Sequence, residues 1–295
     1  MVREVRVGSV LNRHRKRDPW FLDDYSVNPY SGCSFNCLYC YTRGSKYGED
    51  MEGGLSAKVN APEVLERQLA RRARRGEYGF VALSTSTEPY QRIEEKTGLT
   101  RRILEVILQY RFPVHVLTKS TLVLRDLDLL REIDRRAILP EDLREKPGRG
   151  VIINFSLSTL DRKLARILEP GAPEPEERLK TMERCKQEGL FTGISFIPVL
   201  PFLSDSEEKL DEMIKTAKNY GADFVFVGAL TLFGKGPSAC KTLYYKFLET
   251  HYPELVPEYK RLYRIFWAPS REYQRELEEK TKKLTQKYGV KNRIL

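Results

Sequence analysis

Gly32-Cys33-Ser34-Phe35-Asn36-Cys37-Leu38-Tyr39-Cys40-Tyr41 places three of the chain's five cysteines within eight residues, spaced C-x3-C-x2-C. A turning loop brings thiolates three and four residues apart onto one metal centre. The count of three is informative. A structural zinc site closes its tetrahedron with a fourth Cys or His, and none stands nearby in the sequence. A four-iron cluster can be held by three thiolates, leaving one iron open to an exogenous ligand. A zinc knuckle, or three buried thiols, is the plainer alternative.

Outward from this loop the chain alternates. Residues 25–30 read as a first strand, ended by Pro29 and the Ser31-Gly32 turn. Short apolar stretches recur at 80–83, 113–118, 151–157, 191–199 and 223–227. Helical patterns lie between them. Pro62 opens one bearing Leu65, Leu69 and Ala73, and Thr100 is expected to cap one bearing Ile103, Leu104, Ile107 and Leu108. Leu127, Leu130 and Ile133 mark a third, and residues 175–188 a fourth. Ser204 with Glu207 forms the expected capping box of a fifth, carrying Leu210, Met213, Ile214 and Ala217. Six strands alternating with helices predict an α/β chain of parallel βαβ units with right-handed crossovers. Residues 1–24 read as an irregular lead-in. The expected organisation is a barrel over 1–228 and a helical extension over 229–295 packed on it.

The 295 residues carry 51 Lys+Arg against 41 Asp+Glu, a formal charge of +10. That excess is compatible with a phosphate-rich partner without defining one. The basic runs at 13–17 and 71–75 hold no base-reading motif, so nucleic-acid binding through them would be electrostatic. No stretch approaches the ~18 apolar residues of a membrane span, and the basic first residues lack the apolar core of a secretory signal. An odd count of five cysteines, three of them clustered, does not suggest a disulfide framework. The expectation is a cytoplasmic protein with no membrane association.

Polar residues at strand ends supply the candidate ligands. Asn154, Ser156 and Ser158 alternate with Val151, Ile153, Phe155 and Leu157 and so share one face. A strand of a parallel sheet covered on both sides is usually apolar throughout, so this line faces a wet lumen or hydroxyls satisfied by backbone. Lys119 follows the third strand. Ser84-Thr85-Ser86-Thr87-Glu88-Pro89-Tyr90 follows the second, with hydroxyls and a carboxylate suited to an ammonium group, or to an ordinary capped turn. Cys185 borders an apolar stripe and reads as core. His14, His115 and His251 are scattered without carboxylate or ligand spacing. The tail aromatics Tyr244, Tyr245, Tyr252, Tyr259, Tyr263, Phe266 and Trp267 read first as packing, with base stacking as the alternative.

The C-x3-C-x2-C spacing, with aromatic Tyr39 before the third cysteine, resembles the signature of radical S-adenosylmethionine (SAM) enzymes. Further words follow in order: the 84–91 segment, Thr118-Lys119-Ser120, Arg125-Asp126, Leu168-Glu169-Pro170, and Pro198 to Pro201. Together they are similar to the spore photoproduct lyase-like branch of that superfamily, over about residues 8–260. The resemblance implies a partial six-stranded (β/α)6 barrel with a C-terminal helical extension, in agreement with the strand count. It implies a [4Fe–4S] cluster on Cys33, Cys37 and Cys40, with SAM on the open iron and a ferredoxin- or flavodoxin-type electron donor. Tyr39 and the loop residues Ser84, Ser86, Thr87 and Glu88 would line the SAM site, the loop holding the amino group. Lys119 and Ser156 would meet the carboxylate or ribose, with Ser158 on the same line and Arg178 assisting. Two departures stand out. Glu88 replaces the usual Asp, and the 84–88 segment lacks the hydrogen-donor cysteine of the namesake lyase. Cys240, in an expectedly accessible loop after the sixth strand, is the candidate substitute; the alternative is that it packs under Leu243 and Phe247. The expected activity is a radical SAM lyase or other radical-based modification of an unidentified substrate, a nucleic-acid base or a protein side chain. The competing expectation is a nucleic-acid-binding or redox-sensing protein with a purely structural metal.

Overall fold

The computed structural model describes residues 2–45 and 54–295. Six strands run parallel in one sheet: β3 (Asp23–Val27), β6 (Phe80–Leu83), β7 (Val114–Thr118), β8 (Val151–Ser156), β9 (Phe191–Val199) and β10 (Phe224–Ala229). They lie side by side in that chain order, and β2 (Leu11–Arg13) adds antiparallel to the β3 edge. A second, small sheet joins β1 (Arg3–Val5), β5 (Ser56–Lys58) and β4 (Tyr30–Ser31). These are the parallel βαβ units that the alternation predicted, arranged as the partial six-stranded (β/α) barrel that the resemblance implied.

Helices connect successive strands. They are α1 (Ala61–Arg74), α2 (Glu94–Thr97), α3 (Leu99–Gln109), α4 (Leu127–Arg136), α5 (Arg162–Leu168), α6 (Pro175–Gln187) and α7 (Glu207–Asn219). After β10 come α8 (Cys240–His251), α9 (Val256–Leu262) and α10 (Arg271–Tyr288). The apolar faces predicted for α1, α3, α4 and α7 all join one core against the outer side of the sheet, where Val151, Ile153 and Phe155 of β8 also point.

The inner face divides along the strands. Near their N-terminal ends Phe80, Ile152, Phe224 and Phe226 form an apolar floor with Leu22, Leu143 and Ile294. Phe21 closes it from below, meeting Phe226 edge-on at 5.5 Å. Gly193 leaves the room this needs, since a Cβ there would lie 2.5 Å from the Phe224 ring. His115 sits at the same depth, its Nδ1 2.7 Å from the Phe21 carbonyl, and burial pushes its imidazole down to about 4. Toward the C-terminal ends the inner face turns polar with Asn154 and Ser156. The polar end of the lumen is therefore where α/β barrels place their chemistry.

The tail closes an edge. The Val225 N–H donates to the Lys291 carbonyl (2.8 Å), and residue 291 bridges Phe224 in parallel, so the end of the chain shields β10. Leu277, Leu284 and Val290 enter the main core, while Lys287 and Tyr288 reach Asp211 on α7.

Several local expectations change. The lead-in is not irregular throughout, because β1 and β2 lie in it; each is only three residues long, too short for a periodicity signal. The first barrel strand ends at Val27, and Tyr30 belongs to the small sheet. Thr100 lies inside α3 and donates to the Pro89 carbonyl (2.5 Å), while Gly98, at φ +56, precedes the helix. Ser206, not Ser204, caps α7, accepting from the Lys209 N–H (3.3 Å); Ser204 accepts from the Leu200 N–H instead. Local composition offers both serines, and the chain path after β9 chooses between them.

Truncating the floor should be costly. Phe226→Ala is expected to lower unfolding free energy by about 3–5 kcal/mol, read as a reduced denaturant midpoint at unchanged slope.

Candidate active site

The three cysteines follow β4 on a loop whose backbone is gripped from several sides. The Ser34 N–H donates to Gln91 Oε1 (2.9 Å), the Leu38 N–H to the Leu168 carbonyl (2.9 Å), and the Gly171 N–H to the Phe35 carbonyl (3.0 Å). Arg43 Nε donates to the Cys37 carbonyl (3.2 Å). Asn36 takes a left-handed φ of +54, which asparagine tolerates better than most residues. Gly171 has no alternative, since a Cβ there would lie 2.4 Å from the Ser34 carbonyl oxygen. The Leu168-Glu169-Pro170-Gly171 turn is thus the seat of the cysteine loop.

All three thiols are half-buried and free. Burial and the nearby Glu88 charge push the Cys33 thiol up to about 12. Burial likewise raises Cys37, opposed by the Lys119 ammonium and reinforced by Glu169, Cys40 and Cys33. The three sulfurs therefore lie within electrostatic reach of one another, and Cys33 and Cys37 within reach of Lys119. Three thiolates on one loop are a donor set that suits iron in a four-iron cluster.

Beside the thiols, Lys119 Nζ at the end of β7 donates to Ser156 Oγ (2.5 Å) and lies 3.9 Å from Glu169 Oε1. Its ammonium also sits 5.9 Å from the Tyr39 ring centre. One neutral acceptor and one loose ion pair leave it donor capacity for an added carboxylate.

Behind Lys119 lies a buried relay. Glu169 accepts from the Tyr39 hydroxyl and from Arg178 Nη2, and Ser158 Oγ donates to the Tyr39 oxygen (2.8 Å). The remaining Arg178 donors go to the Ser156 carbonyl (3.0 Å) and the Pro173 carbonyl (2.8 Å). Burial alone would push the Glu169 carboxyl up, but Arg178 and Lys119, with the hydrogen bonds from Arg178 and Tyr39, hold it below the usual carboxylate range. Arg178 and Ser158, expected at the cofactor, are instead buried with their polar groups committed to this relay. Tyr39 has only its ring left to face a ligand.

Glu88 is similarly committed. Its carboxylate accepts from the Tyr90 N–H (3.1 Å), the Lys119 N–H (2.9 Å) and Thr118 Oγ1 (2.5 Å), tying the loop after β6 to the end of β7. Burial raises its pKa despite these bonds. The hydroxyl side of the same loop is more open: Ser86 and Thr87 are half-buried, whereas Ser84, at φ +62, is buried. Asn28 Oδ1 holds the Ser86 N–H (3.1 Å), and the Tyr41 hydroxyl donates to the Thr85 carbonyl.

Cys240 is buried, not accessible. Its sulfur accepts from the Phe233 N–H (3.0 Å), and its own N–H donates to the Arg43 carbonyl (3.3 Å), so it braces the cysteine loop from the tail. Phe247 packs in the same satellite cluster as Leu248. Cys185 lies in the main core. His14 does have a carboxylate, since antiparallel β2–β3 pairing brings its Nδ1 3.4 Å from Asp23 Oδ2. Glu169, Asn28, Tyr41 and Arg43 are site-building residues that sequence reasoning did not single out. Glu169 was visible only as part of a short word; the other three carried no local signal.

The radical SAM superfamily model matches residues 27–214, and the chain belongs to that superfamily. An uncharacterised protein of Mycobacterium tuberculosis is 34% identical over 276 residues, covering 90% of this chain and 75% of that one. A protein of Pseudomonas phage M6 named radical SAM Nalpha-GlyT isomerase is 24% identical over 190 residues, 64% of this chain and 36% of its own length. Among solved structures, a spore photoproduct lyase variant with bound AdoMet and dinucleoside spore photoproduct superposes with a TM-score of 0.64 at 17% identity, covering 94% of this chain and 78% of that one. That likeness is one of fold.

The relay makes a signed pH prediction. Arg178→Met leaves Glu169 buried without its guanidinium and should cost about 3–5 kcal/mol near neutral pH. Because the folded Glu169 pKa is depressed, the stability it contributes is present above the ordinary glutamate range and is lost as pH falls through its folded value. The gap between wild type and variant should therefore shrink in acid, in denaturant unfolding followed against pH. A gap independent of pH would remove Glu169 as the partner that matters.

Proposed function

We propose that this protein is a radical SAM enzyme with a [4Fe–4S] cluster on Cys33, Cys37 and Cys40. The carrying observation is the Lys119 ammonium, hydrogen-bonded to Ser156 at 2.5 Å and close enough to Cys33 and Cys37 for its charge to act on both thiols. When bound and reduced, the cluster would supply the electron that cleaves the SAM sulfonium to a 5′-deoxyadenosyl radical, which abstracts hydrogen from substrate.

This chain's residues do the rest. Lys119 and Ser156 take the SAM carboxylate, with Lys119 supplying a charge-assisted bond. The loop bearing Ser84, Ser86 and Thr87 takes the amino group through hydroxyl and carbonyl oxygens, on the half-buried side that Asn28 and Tyr41 hold in place. Glu88 acts indirectly, by fixing the Lys119 backbone. The Tyr39–Glu169–Arg178 relay fixes the floor and keeps Lys119 beside a negative charge when no ligand is bound. The electron comes from a ferredoxin- or flavodoxin-type donor. The reaction is a lyase or related radical modification, as the fold likeness to spore photoproduct lyase suggests. A cytoplasmic setting is supported by five free cysteines and by the absence, among the described residues, of a helix long and apolar enough to cross a membrane.

Anaerobic reconstitution with iron and sulfide, then dithionite and SAM, should yield 5′-deoxyadenosine, and Cys37→Ala should abolish it. Zinc in place of iron, with no 5′-deoxyadenosine, would sink the reading. Lys119→Ala should leave the cluster spectrum intact and weaken SAM binding by ~1.5–3 kcal/mol, roughly 10- to 150-fold in Kd. Unchanged affinity would take Lys119 out of the site.

A further inference from the structure

The tail aromatics fall into two groups. Tyr244, Tyr259 and Tyr263 are buried, and their hydroxyls bond to one another or to the Pro201 (2.6 Å) and Leu230 (2.8 Å) carbonyls. They fasten the tail over the C-terminal ends of β9 and β10, which confirms the packing reading for these three. The loop after Tyr263 does the opposite: Ile265 is 70%, Phe266 69% and Trp267 52% exposed.

That exposure is built into the fold. The Trp267 carbonyl accepts from the Leu232 N–H (2.7 Å), and its ring stacks on Phe233 at 4.6 Å and 23°. In one direction Tyr263 stacks on Tyr259, against which the exposed Phe202 lies edge-on at 5.6 Å. In the other, the Lys241 N–H donates to the Phe233 carbonyl (3.1 Å) and the Cys240 N–H to the Arg43 carbonyl (3.3 Å). An aromatic rim therefore runs from the end of β9 to the cysteine loop, on the barrel face that carries the site.

The two tail segments of this rim are basic, while Asp205 beside Phe202 is taken up by the Phe202 N–H (2.8 Å) and the Tyr273 hydroxyl (2.8 Å). Segments 231–241 and 259–267 hold Lys235, Lys241, Lys260, Arg261 and Arg264 and no Asp or Glu. Arg261 pairs with Glu258 (3.1 Å). Lys235 and Arg264 are exposed and have no carboxylate partner among the described residues. Exposed apolar patches on soluble domains mark contact sites, and cations without carboxylates favour an anionic partner. Aromatic faces interleaved with free cations suit a strand that offers bases for stacking and phosphates for pairing. A duplex hides its base faces and would use the cations alone.

From this juxtaposition we infer that the rim of Phe202, Phe233, Lys235, Arg264, Phe266 and Trp267 binds unpaired nucleic acid at the mouth of the barrel. This names a substrate class for the enzyme proposed above, and its catalytic consequence rests on that reading; the binding itself does not. The bases would stack on Phe266 and Trp267 while Lys235 and Arg264 take phosphates, leaving a base free to enter the polar end of the lumen.

The test is fluorescence anisotropy with the cluster-loaded full chain, without reductant. The probes are a short fluorescein-labelled single-stranded oligonucleotide, the same strand annealed to its complement, and an unstructured polypeptide with the same label. The single strand should bind tightest, with log affinity falling linearly in log salt. Phe266→Ala and Trp267→Ala should each weaken it at least about fivefold, Arg264→Glu should flatten the salt slope, and Lys218→Ala on α7 should leave it unchanged. Phe266 and Arg264 project from an exposed loop and carry the test should Trp267→Ala prove unstable. Equal binding of duplex and single strand, or indifference to the aromatic substitutions, overturns the inference. Tighter binding of the polypeptide overturns it too and gives the rim to a protein substrate. Because binding is read without SAM cleavage, its failure is distinguishable from failure of the radical SAM reading.

Discussion

The ion pair of Arg178 with Glu169 lies fully buried under the cysteine loop, and much of the site depends on it. Neither charge would survive there alone, because desolvation of an isolated ion costs several kcal/mol. Glu169 stands at the start of the turn that seats residues 34–38, and Arg178 also holds the Ser156 carbonyl. One guanidinium thus ties the seat of the cysteine loop to the strand that carries the Lys119 partner. A buried pair of this kind need not raise stability over a well-packed apolar substitute. What it supplies is position: two polar elements distant in sequence are locked in one geometry.

Glu88 follows the same logic on the opposite wall. A carboxylate at the end of the Ser84-Thr85-Ser86-Thr87 run invites assignment to a ligand, since carboxylates bind ammonium groups. Three internal donors already occupy it, two of them backbone N–H groups. Its extra methylene over aspartate is spent reaching across from the loop after β6 to the end of β7. The site's open polar capacity therefore lies in Lys119, in the half-buried Ser86 and Thr87, and in the buried Asn154 amide, whose Nδ2 and Oδ1 have no partner among the described residues, between walls whose charges are internally neutralised. An added ligand meets a prepared surface with little rearrangement to make, which is the energetic basis of preorganisation.

The division of the barrel interior gives this arrangement its direction. Aromatic side chains at the starts of β6 and β10 close the lower lumen, and the polar line of β8 opens upward. The tail reinforces the same end. Buried tyrosines dock it over β9 and β10, and Cys240 joins it to the cysteine loop through Arg43. Elements from both ends of the chain meet around the upper lumen, and that docking presents the exposed aromatic loop at 265–267.

The class of fold was legible from the sequence alone, because it is governed by short-range patterns. Apolar runs of four to nine residues separated by amphipathic helices specify parallel βαβ units, and the boundaries of β6 and β9 fall where the apolar runs do. The cysteine spacing is local as well, so the three-cysteine loop could be read directly. The alternation of Asn154, Ser156 and Ser158 showed which face was polar, again from strand geometry. Which of these groups remain open was settled only by tertiary structure. Ser158 and Ser156 share a face, yet Tyr39 claims one and Lys119 meets the other. Arg178 and Glu169 are nine residues apart across a turn, and their pairing depends on the path from α5 to α6. Phe266 and Tyr263 look alike in the sequence, but one is buried at 3% exposure and the other stands out at 69%. A hydroxyl, a charge or an aromatic ring announces what it can bind; its neighbours in three dimensions determine whether it is already bound.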